Sequence, residues 1–221
     1  MAKQERAERT RQAVLLAAAH TFADAGFEAA SLVDISSRAG VSKGALYFHF
    51  MSKHALADGV RVAAWRVIAS ALLRTRRDDG SGMQSLLNFA HELAGLLRDD
   101  IVVRAGVQLG HPGPGGLGAP YSGGDLMGVT WRGWTVMMRR QLDRASAAGE
   151  LRPGLGGREA AELLTTVAAG LVLRSWVDPT VLGREAVGGV LTAVLPALVP
   201  SDRCADYRTE GPYPVDAPCP A

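Results

Sequence analysis

The chain has 221 residues, of which 48% are apolar and 6% aromatic, and a formal net charge of +2 at pH 7. That composition supplies a sizeable core and excludes a disordered or strongly polyionic chain. With so small a positive surplus, affinity for nucleic acid has to come from local groups such as Lys3, Arg6, Arg9, Arg11, Lys43 and Lys53, which fit an ordinary solvated face equally well.

In chain order, Val14, Ala18 and Phe22 share one face of a first helix that Gly26-Phe27 closes. Ser31 can cap the next helix, with Asp34 as its capping-box partner, and Leu32, Ile35 and Ala39 form its buried face. Gly40 ends it, Val41 plugs the turn, and Ser42 caps another helix. Its first residues, Lys43-Gly44-Ala45, are too small or too flexible to obstruct base edges. Two short helices across a tight turn, followed at once by a third helix start, are the layout of a helix-turn-helix. Phe48 and Phe50 are assigned to the core or to packing on the helix that follows.

From Ser52 a long helical segment, broken only by Gly59, runs to Asp78-Asp79-Gly80 and connects two modules. SLLNFAHELAGLLRDD carries a broad apolar stripe, and the shorter IVVRAGVQLG leads into residues 111–125, whose glycines and three prolines predict a mobile loop. Helical spacing resumes over 126–148, where Met127, Trp131, Trp134, Met137, Met138 and Leu142 form an apolar face suited to a pocket wall. Two last helices, at 157–177 and 180–198, are apolar enough to require a partner surface, which a second copy would supply as a four-helix interface. Residues 201–221, rich in Pro and polar residues and containing Cys204 and Cys219, read as a tail that is disordered or loosely laid on the surface. The expected architecture is all-α: a helix-turn-helix DNA-binding domain over 1–53, a helical ligand-binding and dimerisation domain over 54–200, and the tail.

Other chemistries find little support. His49 and His54 do not share a helical face for zinc, GHPGPGGLGAP lacks the Gly-Lys-Ser/Thr ending of a phosphate loop, and there is no Gly-x-Ser-x-Gly elbow. The sequence therefore reads as a binding protein, not an enzyme, with no metal and no cofactor. No apolar run reaches the roughly 18 residues of a membrane span, which leads to an expected cytoplasmic location.

GVSKGALYFHF, followed by one residue and then SK, resembles the signature of the TetR family of transcriptional repressors, and the likeness covers about residues 6–60. The YFHF form, the run VVRAGVQLG and Trp131-Arg132 are similar to the γ-butyrolactone receptor branch of streptomycetes. The resemblance implies a homodimer on pseudo-palindromic double-stranded operator DNA, controlling antibiotic biosynthesis or related genes. Its small-molecule inducer would be of γ-butyrolactone, furan or butenolide type. A drug-sensing repressor of an efflux exporter is the alternative. By the same resemblance Lys43, Gly44 and Ala45 face bases, Ser42, Tyr47, His49 and Lys53 contact phosphates, and Ser31 anchors the preceding helix. On the residues alone, Tyr47 also fits a core aromatic and His49 a packing residue. Trp131 takes a pocket role by resemblance, with packing as its alternative, and Trp134 is wall or core. Gln108, Thr165 and Thr166 are candidate polar partners for the ligand.

Overall fold

The structure, a computed structural model, describes residues 2–75, 81–110 and 131–211, except the side chains of 2–3 and 131–134. The helices are α1 (Ala2–Ala29), α2 (Leu32–Arg38), α3 (Lys43–His49), α4 (Lys53–Thr75), α5 (Gly82–Asp99), α6 (Ile101–Leu109), α7 (Trp131–Ala147), α8 (Gly157–Ser175) and α9 (Arg184–Leu198). Short 3₁₀ turns occupy Pro179–Leu182 and Ser201–Asp206, and there is no strand among the described residues. The expected connector end at 78–80, the loop at 111–125, Met127, and residues 212–221 with Cys219 lie outside the described residues, as does the side chain of Lys3.

Two compact units emerge: Met1–Ala69 with Asp99–Trp134, and Ser70–Arg98 with Thr135–Ala221. This differs from the division expected at 53/54, because the first unit keeps most of α4 and recruits α6. In that unit Val14, Ala18 and Phe22 of α1 are at most 1% exposed, and they share a core with Ile35, Leu46, Phe50, Leu56, Val60, Ala105 and Leu109. Burial of each large aliphatic side chain here contributes about 1.5–3 kcal/mol. Gly26 adopts φ 76° and ψ 171°, which kinks α1 before Phe27 enters the core. Asp100 starts α6 by accepting the amide N–H groups of Val102 and Val103. The helix then crosses α4 so closely that a Cβ on Gly106 would lie 2.3 Å from the Ala64 Cβ. Gly59 does not break α4 as expected. A Cβ there would stand 2.9 Å from the Phe50 ring, so the missing side chain makes room for that aromatic and the helix continues.

In the second unit the carboxylate of Glu150 accepts from Ser81 Oγ at 2.9 Å and from the amides of Gly82 and Met83 at 3.1 and 2.7 Å. It thereby satisfies the orphan donors at the start of α5. One face of α5 carries Met83, Leu86, Leu87, Leu93 and Leu97 into the core, and the opposite side carries Gln84, Asn88 and His91. That polar side holds the end of the chain. Gln84 Nε2 donates to the Arg208 carbonyl and its Oε1 accepts the Arg208 N–H, while Asn88 Oδ1 accepts from the same Nε2. His91 Nε2 lies 2.7 Å from the Thr209 carbonyl, and Arg184 donates to the Glu210 carbonyl. The expectation of a disordered tail is thus corrected over 201–211: these residues are ordered, and Thr209 is buried. Their main chain finds its partners in side chains of α5 and α9.

Gly106→Ala should cost about 1–3 kcal/mol in urea unfolding, because the new methyl group has no room beside Ala64. In an Ala64→Gly background the same change should cost much less, which a double-mutant cycle would measure. A second expectation concerns pH. Burial holds the His91 pKa below its ordinary 6.5, outweighing the backbone bond to Thr209, which acts the other way. The unfolded chain therefore takes up the proton first, and the stability linked to neutral His91 is intact above pH 6.5 and lost as pH falls through its folded pKa. His91→Gln should flatten the acid decline of the melting temperature below pH 6.5.

Candidate nucleic-acid interface and ligand cavity

The turn between α2 and α3 is set by local chemistry. Ser31 Oγ accepts the Val33 N–H and Ser42 Oγ accepts the Ala45 N–H, each at 3.1 Å. Gly40 takes φ +67°, a left-handed conformation that closes α2, and the amides of Gly40 and Val41 return to the carbonyls of Ser37 and Ser36. Asp34 is exposed in the first turn of α2, where its charge suits the helix dipole. Leu46 is fully buried and Phe50 5% exposed, so α3 is fixed by its inner side while Ser42, Lys43 and Gly44 face outward.

On that outer side, the Lys43 ammonium sits 5.9 Å from the centre of the Tyr47 ring, which is itself 41% exposed. Tyr47 is therefore not a core aromatic. The two serine hydroxyls use their oxygen atoms as cap acceptors and keep their protons to donate, a combination suited to phosphate. His49 is half-buried, with its ring edge-on to Phe48. Phe48 itself corrects the expectation of a core residue. It is 81% exposed, because the burial of Leu46 and Phe50 turns the position between them outward.

Lys53 has a different neighbourhood from the other expected phosphate contacts. Its ammonium donates to the carbonyls of Glu28 and Ala30 at 3.0 and 3.2 Å and lies 4.6 Å from the Phe27 ring centre. It braces the end of α1 against the start of α4, which leaves one of its three N–H groups for an outside anion.

The second unit has a narrow, partly open cavity of about 60 Å³ between α5, α7, α8 and α9. Its lining side chains are all apolar, among them Met83, Ala90, Leu97, Met138, Ala168 and Leu191. The apolar face of 126–148 expected to form a pocket wall supplies Met138, and the broad stripe of α5 supplies much of the rest. Among the residues expected to meet a ligand, Trp131 and Trp134 start α7, and their side chains lie outside the described residues. Gln108 is half-buried on α6, in the first unit. Thr165 is buried and its hydroxyl has no hydrogen-bond partner among the described residues. Thr166 is a correction: helical rotation sends Leu164, Val167, Ala168 and Leu171 to the cavity and leaves Thr166 exposed, bonded back to the Glu162 carbonyl.

Residues 14–60 match the family of bacterial regulatory proteins, TetR family. The chain is 32% identical over 215 residues to the A-factor receptor protein of Streptomyces griseus, covering 96% of this chain and 71% of that protein. It also resembles the crystal structure of a γ-butyrolactone receptor (ArpA-like protein), with a TM-score of 0.74, 26% identity, and coverage of 93% of this chain and 96% of that one. A further likeness is to the TetR family protein CprB from Streptomyces coelicolor in complex with its biological operator sequence. There the TM-score is 0.72 at 25% identity, covering 92% of this chain and 95% of that one. With the outward-facing α3 start and these full-length likenesses together, the chain belongs to the TetR family of transcriptional regulators.

Proposed function

We propose that this protein is a homodimeric repressor that sets one α3 from each subunit into successive major grooves of a pseudo-palindromic operator, and that a small signalling molecule of the γ-butyrolactone, furan or butenolide type releases it. The observation that carries the reading is the capped, outward-facing start of α3 in a chain 32% identical to the A-factor receptor over nearly its whole length. Lys43 offers a donor to guanine O6 or N7, and Gly44 and Ala45 leave base edges accessible. Ser42, Tyr47 and Ser31 supply neutral donors to phosphate, His49 and the remaining Lys53 proton a further two.

The outer faces of α8 and α9 support self-association. Ala186, Gly189, Ala193 and Ala197 on α9 are exposed and small, and a Cβ at either Gly170 or Gly189 would meet nothing within 4 Å. With exposed Leu173 and Trp176 on and just past the end of α8, this surface suits close helix packing in a second copy. Genes for antibiotic production or related signalling are the expected targets, by likeness to the A-factor receptor and the γ-butyrolactone receptors. The protein acts by binding and not by catalysis. No helix among the described residues is long and apolar enough to cross a membrane, which agrees with work on DNA in the cytoplasm.

The cavity wall, wholly apolar, suits the alkyl portion of such a ligand. Thr165, whose buried hydroxyl has no partner among the described residues, is the residue proposed for its polar portion, and Trp131 keeps the pocket role that the resemblance implies. Release requires that the guest bind the DNA-free conformation more tightly than the DNA-bound one. α4 contributes residues to both units and is the element through which that preference reaches α3. No observation favours an efflux-drug sensor over this reading.

Lys43→Ala should weaken binding to a selected operator roughly 10- to 100-fold and relax sequence preference. Tyr47→Phe should weaken all sequences alike, and mobility-shift titrations on matched and scrambled duplexes would distinguish the two effects. A Lys43 variant that bound the matched and the scrambled duplex each with the affinity of wild type would remove Lys43 from the base-reading surface. Ala168→Phe should fill the cavity, leaving operator affinity intact while raising the inducer concentration needed for release at least tenfold.

A further inference from the structure

Large apolar side chains are exposed unevenly along this chain. Among the described residues, Val33, Tyr47, Phe48 and Met51 are exposed within or just after the helix-turn-helix, and Phe48 and Met51 reach 81% and 88%. Such residues in a folded protein point to a surface that meets something.

Phe48 lies four residues after Gly44, so the two form one row along α3, beside the row of Lys43 and Tyr47. A helical side chain leans toward the preceding turn, which for Phe48 is the turn of Gly44. A Cβ built on Gly44 meets only the Ser42 hydroxyl, at 3.9 Å, so the ring borders an open notch and does not cover it. The ring stands edge-on to His49, with centres 5.2 Å apart and planes at 85°. On its α1 side, Phe48 shares a shallow groove with Glu5, Glu8 and Arg11, where the two carboxylates outnumber the one guanidinium and make a phosphate a poor occupant. A phenyl ring also has no hydroxyl to donate. Its favourable partner is apolar, and the apolar group that a base presents in the major groove is the C5-methyl of thymine.

Resting on the operator-binding reading above, we propose that Phe48 is a specificity-determining residue that packs on a thymine C5-methyl group entering the notch over Gly44. Neighbouring Lys43, with its charge held beside Tyr47, keeps the same strip of α3 against DNA. The contact reads a methyl group and nothing else, so removing that methyl must abolish its benefit.

The test uses full-length protein and an operator duplex selected from random DNA, with deoxyuridine replacing thymine at symmetric positions, one pair at a time. Wild type should lose about 3- to 5-fold in affinity per methyl at one such pair and little at the others. Phe48→Ala should bind the thymine and deoxyuridine duplexes equally, at the affinity of wild type for the deoxyuridine duplex. Because Phe48 is exposed, the variant should melt with wild type, and a variant that lost its fold would be replaced by Phe48→Ser for the same comparison. Wild type indifferent to every replacement, or a Phe48 variant retaining the wild-type sensitivity, overturns the proposal while leaving operator binding intact. Failure to select any operator overturns the functional reading itself, and the proposal with it.

Discussion

A helix of seven residues cannot hold itself in water, and α3 has seven. Isolated helices below about 12 residues are marginal even with good sequences, so the position of α3 has to be imposed from outside. Leu46 and Phe50 impose it by entering the core of the first unit, and Gly59 permits it by leaving room on α4 for the Phe50 ring. Ser42 supplies the cap. Lys53 then ties the first turn of α4 to the end of α1 through two backbone carbonyls. The outward direction of Lys43, Gly44 and Tyr47 is a consequence of these inward contacts. Lys53 therefore has a bracing role in the fold that is separate from the phosphate contact proposed for it.

The caps were legible in the sequence because capping is local: Ser31 and Ser42 act on amides two and three residues away. Helical periodicity was legible for the same reason and found the faces of α1, α5 and α9. What it could not decide was which of two aromatics goes inside. Phe48 and Phe50 are two residues apart, roughly on opposite sides of a helix, and apolarity alone favours both. Gly59 on α4 leaves room for the Phe50 ring, a contact between helices that apolarity alone does not reveal. Thr165 and Thr166 repeat the lesson at the cavity: adjacent residues of the same type point 100° apart, and only the packing of α8 tells which one is buried.

Residues 201–211 show where composition misleads. Pro and polar residues with no apolar face read as disorder because such a segment cannot bury enough apolar surface for itself. Order instead comes from main-chain bonding to side chains far away in sequence, with Gln84 binding Arg208 at a separation of 124 positions. The assignment of α6 was hidden in the same way. Its apolar stripe predicts a buried helix but not the unit that buries it, and the glycine that meets Ala64 is an ordinary glycine until its neighbour is known.

The size of the cavity constrains how a signal could work. Small-molecule sites measure about 300–1,000 Å³, whereas the space here is about 60 Å³. On the proposed ligand reading, a guest of that class needs more room than this cavity gives, so α5, α8 or α9 would have to shift to admit it. A hundredfold fall in operator affinity needs a differential of about 2.7 kcal/mol. Each methylene buried in an apolar wall contributes about 0.8 kcal/mol, so three or four methylenes held only in the opened cavity are enough. On that reading a polar head adds orientation, and the apolar lining among the described residues places the energetic weight on the alkyl chain of the ligand.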